Sequence, residues 1–199
     1  MKKILLISII LMNLACNEKT SEVRYYPNFE ISNKDKIQKM ILDTTQMNFK
    51  KITNWIGNNQ YNGILSIIEF EDNKITKRII PSVRGNGLIK QRNMLSITSD
   101  SILIDNGYPV SELKRILKRH YLNNNNIPYY SESAYKAAIE ITIDTSKSGA
   151  DLKKLLTKLT RDFDEVKNEV EDSIKLRFLF SYLRQTPPPP PPPKSEDDY

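Results

Sequence analysis

Six acidic residues, Glu69, Glu71, Asp72, Asp100, Asp105 and Asp144, are the side chains through which this sequence could do acid–base work. Glycoside hydrolysis needs two such groups converging across a cleft. Glu69 and Glu71 share one face of a predicted strand, with Lys74, Lys77 and Arg78 opposite them in the hairpin, so the spacing favours solvated cross-strand ion pairs. The chain has one His and one Cys. A Cys/His zinc site and an internal disulfide are therefore excluded, and a nucleophile triad has only His120 as its base. His120 stands among Lys114, Arg115, Lys118 and Arg119 near the end of a predicted helix, an exposed position that suits the helix dipole. The basic cluster itself reads as a solvated face in preference to a lipid or glycan contact. Asp162, Asp164, Glu165, Glu169, Glu171 and Asp172, interleaved with Lys158, Arg161, Lys167 and Lys175, read as the charged face of a long C-terminal helix. No calcium-loop spacing is present, and Gly85-Asn86-Gly87 lacks the rest of a phosphate loop, which leaves a turn. No cofactor pattern and no catalytic constellation emerge, and a non-enzymatic chain is expected.

The 199 residues carry 30 Lys+Arg against 24 Asp+Glu, a formal charge of +6. The first 16 residues account for part of that excess. Met1-Lys2-Lys3 is followed by an apolar run from Ile4 to Met12 and then by Asn13-Leu14-Ala15-Cys16. A basic start, a short apolar core and a small residue before the cut describe a secretory signal peptide over residues 1–15. A spanning helix needs roughly 20 apolar residues, so cleavage is favoured over a retained anchor. Without Lys2 and Lys3 the chain has 28 basic and 24 acidic side chains, too small an excess to argue for nucleic acid. Leu14-Ala15-Cys16 resembles the lipobox of bacterial lipoproteins, although Asn13 stands where Leu or Val is usual. That resemblance implies acylation at Cys16, attachment to a membrane through the lipid and, with Asn17 following, the outer membrane of a bacterial envelope. An ordinary secreted protein with one incidental Cys is the alternative.

Residues 16–31 are polar and without clear periodicity, and read as a lipidated tether. Ser32 could cap a helix over residues 32–56, with Ile37, Met40, Ile41, Met47, Ile52, Trp55 and Ile56 on one face and a flaw at Thr44-Thr45. Ile64 to Phe70 and Ile75 to Ile80 flank Glu71-Asp72-Asn73-Lys74 as a hairpin. Strands are expected at 94–98, from Ser101 and at 137–143, and a helix over 111–122 has Leu113, Ile116, Leu117 and Tyr121 inward. From Ala150 apolar residues hold a 3.6-residue phase through Leu152, Leu155, Leu159, Phe163, Val166, Val170, Ile174, Phe178 and Leu183. A continuous helix of that extent would be about 50 Å long.

Ile174, Phe178, Leu179, Phe180 and Tyr182 wrap more than one face of that helix end, which marks them as candidate partner-binding residues, with burial under residues 31–56 as the competing reading. Pro187 to Pro193 is an unbroken run of seven prolines, a polyproline II rod of about 20 Å, followed by an acidic end. Pro187 and Pro193 bound either a spacer or a segment that docks in an aromatic groove. For a glycan-binding module, the candidate aromatics are Tyr25, Tyr26, Tyr129 and Tyr130.

Ile102-Leu103-Ile104-Asp105-Asn106-Gly107-Tyr108-Pro109-Val110-Ser111-Glu112-Leu113, Ala138-Ile139-Glu140-Ile141-Thr142-Ile143-Asp144 and Phe163-Asp164-Glu165-Val166-Lys167-Asn168-Glu169 resemble parts of the periplasmic domain of the ExbD/TolR biopolymer-transport family. The resemblance covers about 80 residues and implies a binding and dimerising domain. It fails at the family's motor: that family uses a transmembrane helix with a proton-handling Asp, whereas Ile4 to Met12 is short and has no acidic residue.

These readings converge on an α+β protein. A mostly antiparallel sheet with helices packed on it would span an N-terminal region, 32–93, and an ExbD-like region, 94–186, with the long C-terminal helix and the polyproline tail, 187–199, at its end. The expected role is an envelope lipoprotein that binds a protein partner in a membrane complex, possible homodimer included, or alternatively a glycan- or cell-wall-binding module.

Overall fold

The helix pattern across residues 32–56 breaks at Thr44-Thr45, its one flaw. The computed structural model describes residues 22–28, 36–83, 89–170 and 174–182. The signal segment, Cys16, Ser32, Gly85-Asn86-Gly87, Leu183 and the run from Pro187 to Pro193 lie outside the described residues. Lys36–Ile41 is a strand, β2, and only Phe49–Tyr61 is helical, α1. Asn48 caps α1, its side chain accepting from Lys51 N at 3.0 Å. The expected tether also contains structure. Glu22–Tyr26 is a strand, β1, with Arg24 half-buried and Tyr26 buried on the inner side.

Ile64–Asp72 (β3) and Ile75–Ile79 (β4) form the expected antiparallel hairpin. After Ile80 the chain runs directly into Pro81–Val83 (β5). Met94–Ile97 (β6), Ser101–Leu103 (β7), Tyr108–Pro109 (β8), the helix Leu113–Leu122 (α2), Ala138–Ile141 (β9) and the helix Gly149–Glu169 (α3) follow in the expected order. α3 is 21 residues long, about 32 Å, and does not continue to residue 183. Phe178–Phe180 is instead a strand, β10.

The four-stranded first sheet has the order β1-β4-β3-β2, and the six-stranded second sheet β5-β10-β9-β6-β7-β8. Both sheets are mixed. Five of the eight pairings among the described residues are parallel, which corrects the expectation of a mostly antiparallel sheet. The cause is connectivity: β2-α1-β3 and β9-α3-β10 each return through a helix to lie parallel beside the starting strand, and only a crossover of that length permits this.

The two crossovers meet at their helix starts. Asn48 bridges Ser148, and the first amides of α1 donate across the junction, Phe49 N to Lys147 O at 2.7 Å and Lys50 N to Thr145 O at 3.2 Å. Donors that a helix cannot satisfy internally are thus paired by the loop of the other crossover. Ser148 and Asp151 form a capping box on α3. Gly149 makes the approach possible, since a Cβ there would lie 2.5 Å from Thr45 Cγ2.

One continuous apolar core joins the inner faces of both sheets to α1, α2 and α3. Into it β10 places Phe178 and Phe180, 1 % and 0 % exposed, with the Phe180 ring 5.7 Å from that of Phe49. Ile174 and Leu176 are buried as well. The wide apolar band expected at the end of a long helix is therefore strand and core. Its residues alternate, Ile174, Leu176, Phe178 and Phe180 inward with Lys175 and Arg177 between, and the helical phase had shared Ile174 and Phe178 with this period of two. Phe180→Ala is expected to lower the unfolding free energy by about 3–5 kcal/mol, measured by urea titration of the full chain.

Candidate functional site

A cavity of about 570 Å³ lies over the outer face of the second sheet. Its floor is apolar. Ala138 and Leu179, with Met94 beside them, form a small cluster separate from the main core. Strand alternation explains this: Leu179 points away from the side into which Phe178 and Phe180 are packed. The walls come from Ile89, Lys90 and Asn93 together with Glu132, Tyr135 and Lys136, and Arg177 stands just before β10.

A buried polar network fixes the wall at 131–136. Asn93 Oδ1 accepts from Ser131 Oγ at 3.1 Å and from Glu132 N at 2.9 Å. Ser131 N donates to His120 Nδ1 at 3.4 Å, and Asn123 Nδ2 donates to Ser131 O at 2.9 Å. Asn93, His120, Asn123 and Ser131 are all buried. Glu132 then receives Lys90 and Lys136, both at 2.6 Å, and these two ammonium groups hold its carboxyl at about 2, Lys136 first. At the rim, the Arg177 guanidinium lies 4.8 Å from the centre of the Tyr135 ring and donates to the Tyr135 carbonyl. Tyr135 is 80 % exposed. The result is an apolar floor under a braced cation–aromatic pair, an arrangement that can bind an amphipathic segment.

His120 is buried, which corrects the exposed position expected from its basic neighbours. It lies on the inner side of α2, its ring 6.0 Å from Tyr121 and 6.3 Å from Tyr130, while Lys114 and Lys118 point outward to Glu165 and Glu169 of α3 at 2.8–2.9 Å. Arg119 lies over the Tyr130 ring at 4.8 Å. The basic cluster is thus largely matched against the acidic face of α3.

The other acidic candidates are engaged locally. Arg78 pairs with Glu69 at 2.7 Å and Thr76 donates to Glu71 at 2.6 Å. Thr98 and Ser101 hold Asp100, Ser146 holds Asp144, and Tyr108 reaches Asp105 at 3.4 Å. Lys77 does not join Glu69 or Glu71. Alternation turns it to the opposite face, where its ammonium pairs with Asp72 at 2.8 Å and donates to Thr160 Oγ1 of α3 at 2.8 Å. Arg161, then Lys77, hold the Asp72 carboxyl at about 2 against the burial that raises it. Among the described residues no group of three or more His, Cys, Asp or Glu could hold a metal ion.

The partner-binding candidates are dispersed. Phe178 and Leu179 line the 570 Å³ cleft, and Ile174 lines a cavity of about 250 Å³ beside Arg24, Tyr26 and Asp164. Phe180 and Tyr182 border one of about 400 Å³ at the end of β10. The glycan candidates do not gather: Tyr26 and Tyr130 are buried, Tyr25 lies against Arg78, and Tyr129 is 59 % exposed elsewhere. Asn93, Glu132, Tyr135, Lys136 and Arg177 carry no sequence signal as a group, because four separate stretches of chain supply the cleft. No family model, curated protein or solved structure matches the chain.

Burial pushes the His120 pKa down to about 4, partly countered by the backbone of Asn93 and Ala138. In the unfolded chain it returns to about 6.5. The stability that neutral, buried His120 contributes is therefore complete above pH 6.5 and falls as the pH drops toward 4, because the unfolded state takes up the proton first. The loss across that window is expected to be about 3 kcal/mol in urea titrations at successive pH values, and His120→Gln should flatten it.

Proposed function

We propose that this chain is a non-enzymatic envelope lipoprotein, held to the membrane by a lipid on Cys16, that binds a protein partner through the cleft over the second sheet. The observation that carries the reading is the rim of that cleft. Tyr135 and Arg177 are of the residue types that dominate binding at protein interfaces, and here they are stacked on each other beside an apolar floor. The ion pairs of Glu132 with Lys90 and Lys136 and the network through Asn93 pre-order the wall, so little conformational freedom is lost on binding. An accessory subunit of a transport-related complex is the role that fits the ExbD/TolR resemblance, with the proton-driven motor residing in another chain. By resemblance to bacterial sorting rules, Asn17 after Cys16 supports an outer-membrane anchor on this reading.

Affinity purification from gently solubilised membranes is expected to recover a stoichiometric partner with the native chain, and Tyr135→Ala/Arg177→Ala to lose it while retaining the native urea midpoint. Recovery of the chain alone would count against the binding role. Cys16→Ser is expected to move the protein from the membrane to the soluble fraction and to abolish the lipid mass on the N-terminal peptide.

A further inference from the structure

The start of β1 lies six residues after Cys16. If Cys16 carries a lipid, as the proposed function requires, the edge of the first sheet is confined to within about 20 Å of the bilayer, at 3.3–3.6 Å per extended residue. Such a tether restricts which surface of the domain can lie against the membrane.

The register of the first sheet identifies a face suited to that position. Val23 and Tyr25 on β1, Leu65 and Ile67 on β3, and Ile37 and Ile41 on β2 alternate with the residues that enter the core, and none of the six belongs to that core. Ile67, in the middle, is buried, whereas Val23 and Ile41, on the two edge strands, are 42 % and 47 % exposed. Within the face Arg78 pairs with Glu69 and lies 5.3 Å from the centre of the Tyr25 ring, while the exposed Glu71 accepts from Thr76 at 2.6 Å. On β2, Lys39 stands between Ile37 and Ile41 on this face and is exposed, with a stem long enough to lie along apolar surface while its ammonium group reaches a phosphate. Apolar side chains at two edges, a half-buried tyrosine and a lysine between Ile37 and Ile41 suit a lipid headgroup boundary.

We infer that the outer face of the first sheet rests on the bilayer surface that holds the N-terminal lipid. The second sheet and its cleft are then carried on the rest of the domain, available to a protein partner.

Cys16 is the only cysteine, so once its thiol carries lipid, an introduced Ile41→Cys is the single reactive thiol. The full acylated chain is labelled there with a nitroxide and reconstituted into vesicles of phosphatidylethanolamine and phosphatidylglycerol. Lys154→Cys, exposed on α3 in the layer covering the other side of the sheet, is the reference. The ratio of collisions with oxygen to collisions with a water-soluble nickel chelate is expected to be several-fold higher at position 41 than at 154. Val23→Cys, on the opposite edge strand, gives the same readout should Ile41→Cys fail to fold. Equal ratios in a chain whose Cys16 peptide bears the lipid would overturn this inference and leave the anchor intact. Spectral broadening at 41 that disappears on dilution with unlabelled chain would assign the face to a second copy instead, also overturning it. An unmodified Cys16 peptide would remove the anchor and this inference together.

Discussion

Phe178, Leu179 and Phe180 form a three-residue strand with a parallel neighbour on each side, Pro81–Val83 along one edge and Ile139–Ile141 along the other. The flanking backbone extends the second ladder, Ile139 N donating to Arg177 O and Ser181 N to Ile141 O, both at 2.9 Å. This insertion is the constraint from which much of the architecture follows. β5 belongs to the N-terminal half of the chain and β9 to the C-terminal half, so the last described strand closes the gap between them. Phe178 and Phe180 then fill the space under α1, and Leu179 is left to floor the cleft on the other side. Backbone pairing, core packing and the candidate site are all consequences of one strand seated between two others.

A second tie between the halves is electrostatic. Lys77 of β4 is buried against Asp72 of β3 and Thr160 of α3, and Arg161 adds a further contact to the same carboxylate. A buried ammonium is tolerated only when its charge and its donors are matched, as they are here by one carboxylate and one hydroxyl. The arrangement ties α3 to the first sheet, since moving the helix would take Thr160 and Arg161 away from the Lys77–Asp72 pair.

Sequence reasoning recovered the elements whose patterns admit one template. The hairpin of β3 and β4, the strands β6, β7 and β9, helix α2 and the beginning of α3 have a single period and clear punctuation at Asn73, Gly107 and Ser148. It missed the segments that two templates share. Ile37, Met40 and Ile41 satisfy helical spacing, yet Lys36–Ile41 pairs in parallel with β3 because that strand offers a full edge. Ile174 and Phe178 fit both periods, and the vacancy between β5 and β9 decided for the strand. Parallel order was illegible for a different reason: which strand lies beside which depends on crossovers, and no local pattern reports them. The cleft shares this cause. Lys90 and Asn93, Glu132 to Lys136, Ala138 and Arg177 to Leu179 come together only through the fold, and the role of His120 in bracing its wall is invisible while the histidine is judged by its basic neighbours alone.

The route of the chain through both sheets has a mechanical consequence. β1 runs parallel to β4, and β4 continues through Ile80 into β5 of the second sheet. A pull on the chain preceding Glu22 draws β1 toward its own start, while a load on the second sheet draws β4 toward its end. The two forces act along the strands in opposite directions, so the ladder from Glu22–Ile75 to Tyr26–Ile79 is loaded in shear and its rungs share the tension instead of opening one by one. Tension between the start of β1 and the second sheet therefore passes through the domain along a line in which the backbone, and then a whole ladder at once, carries the strain.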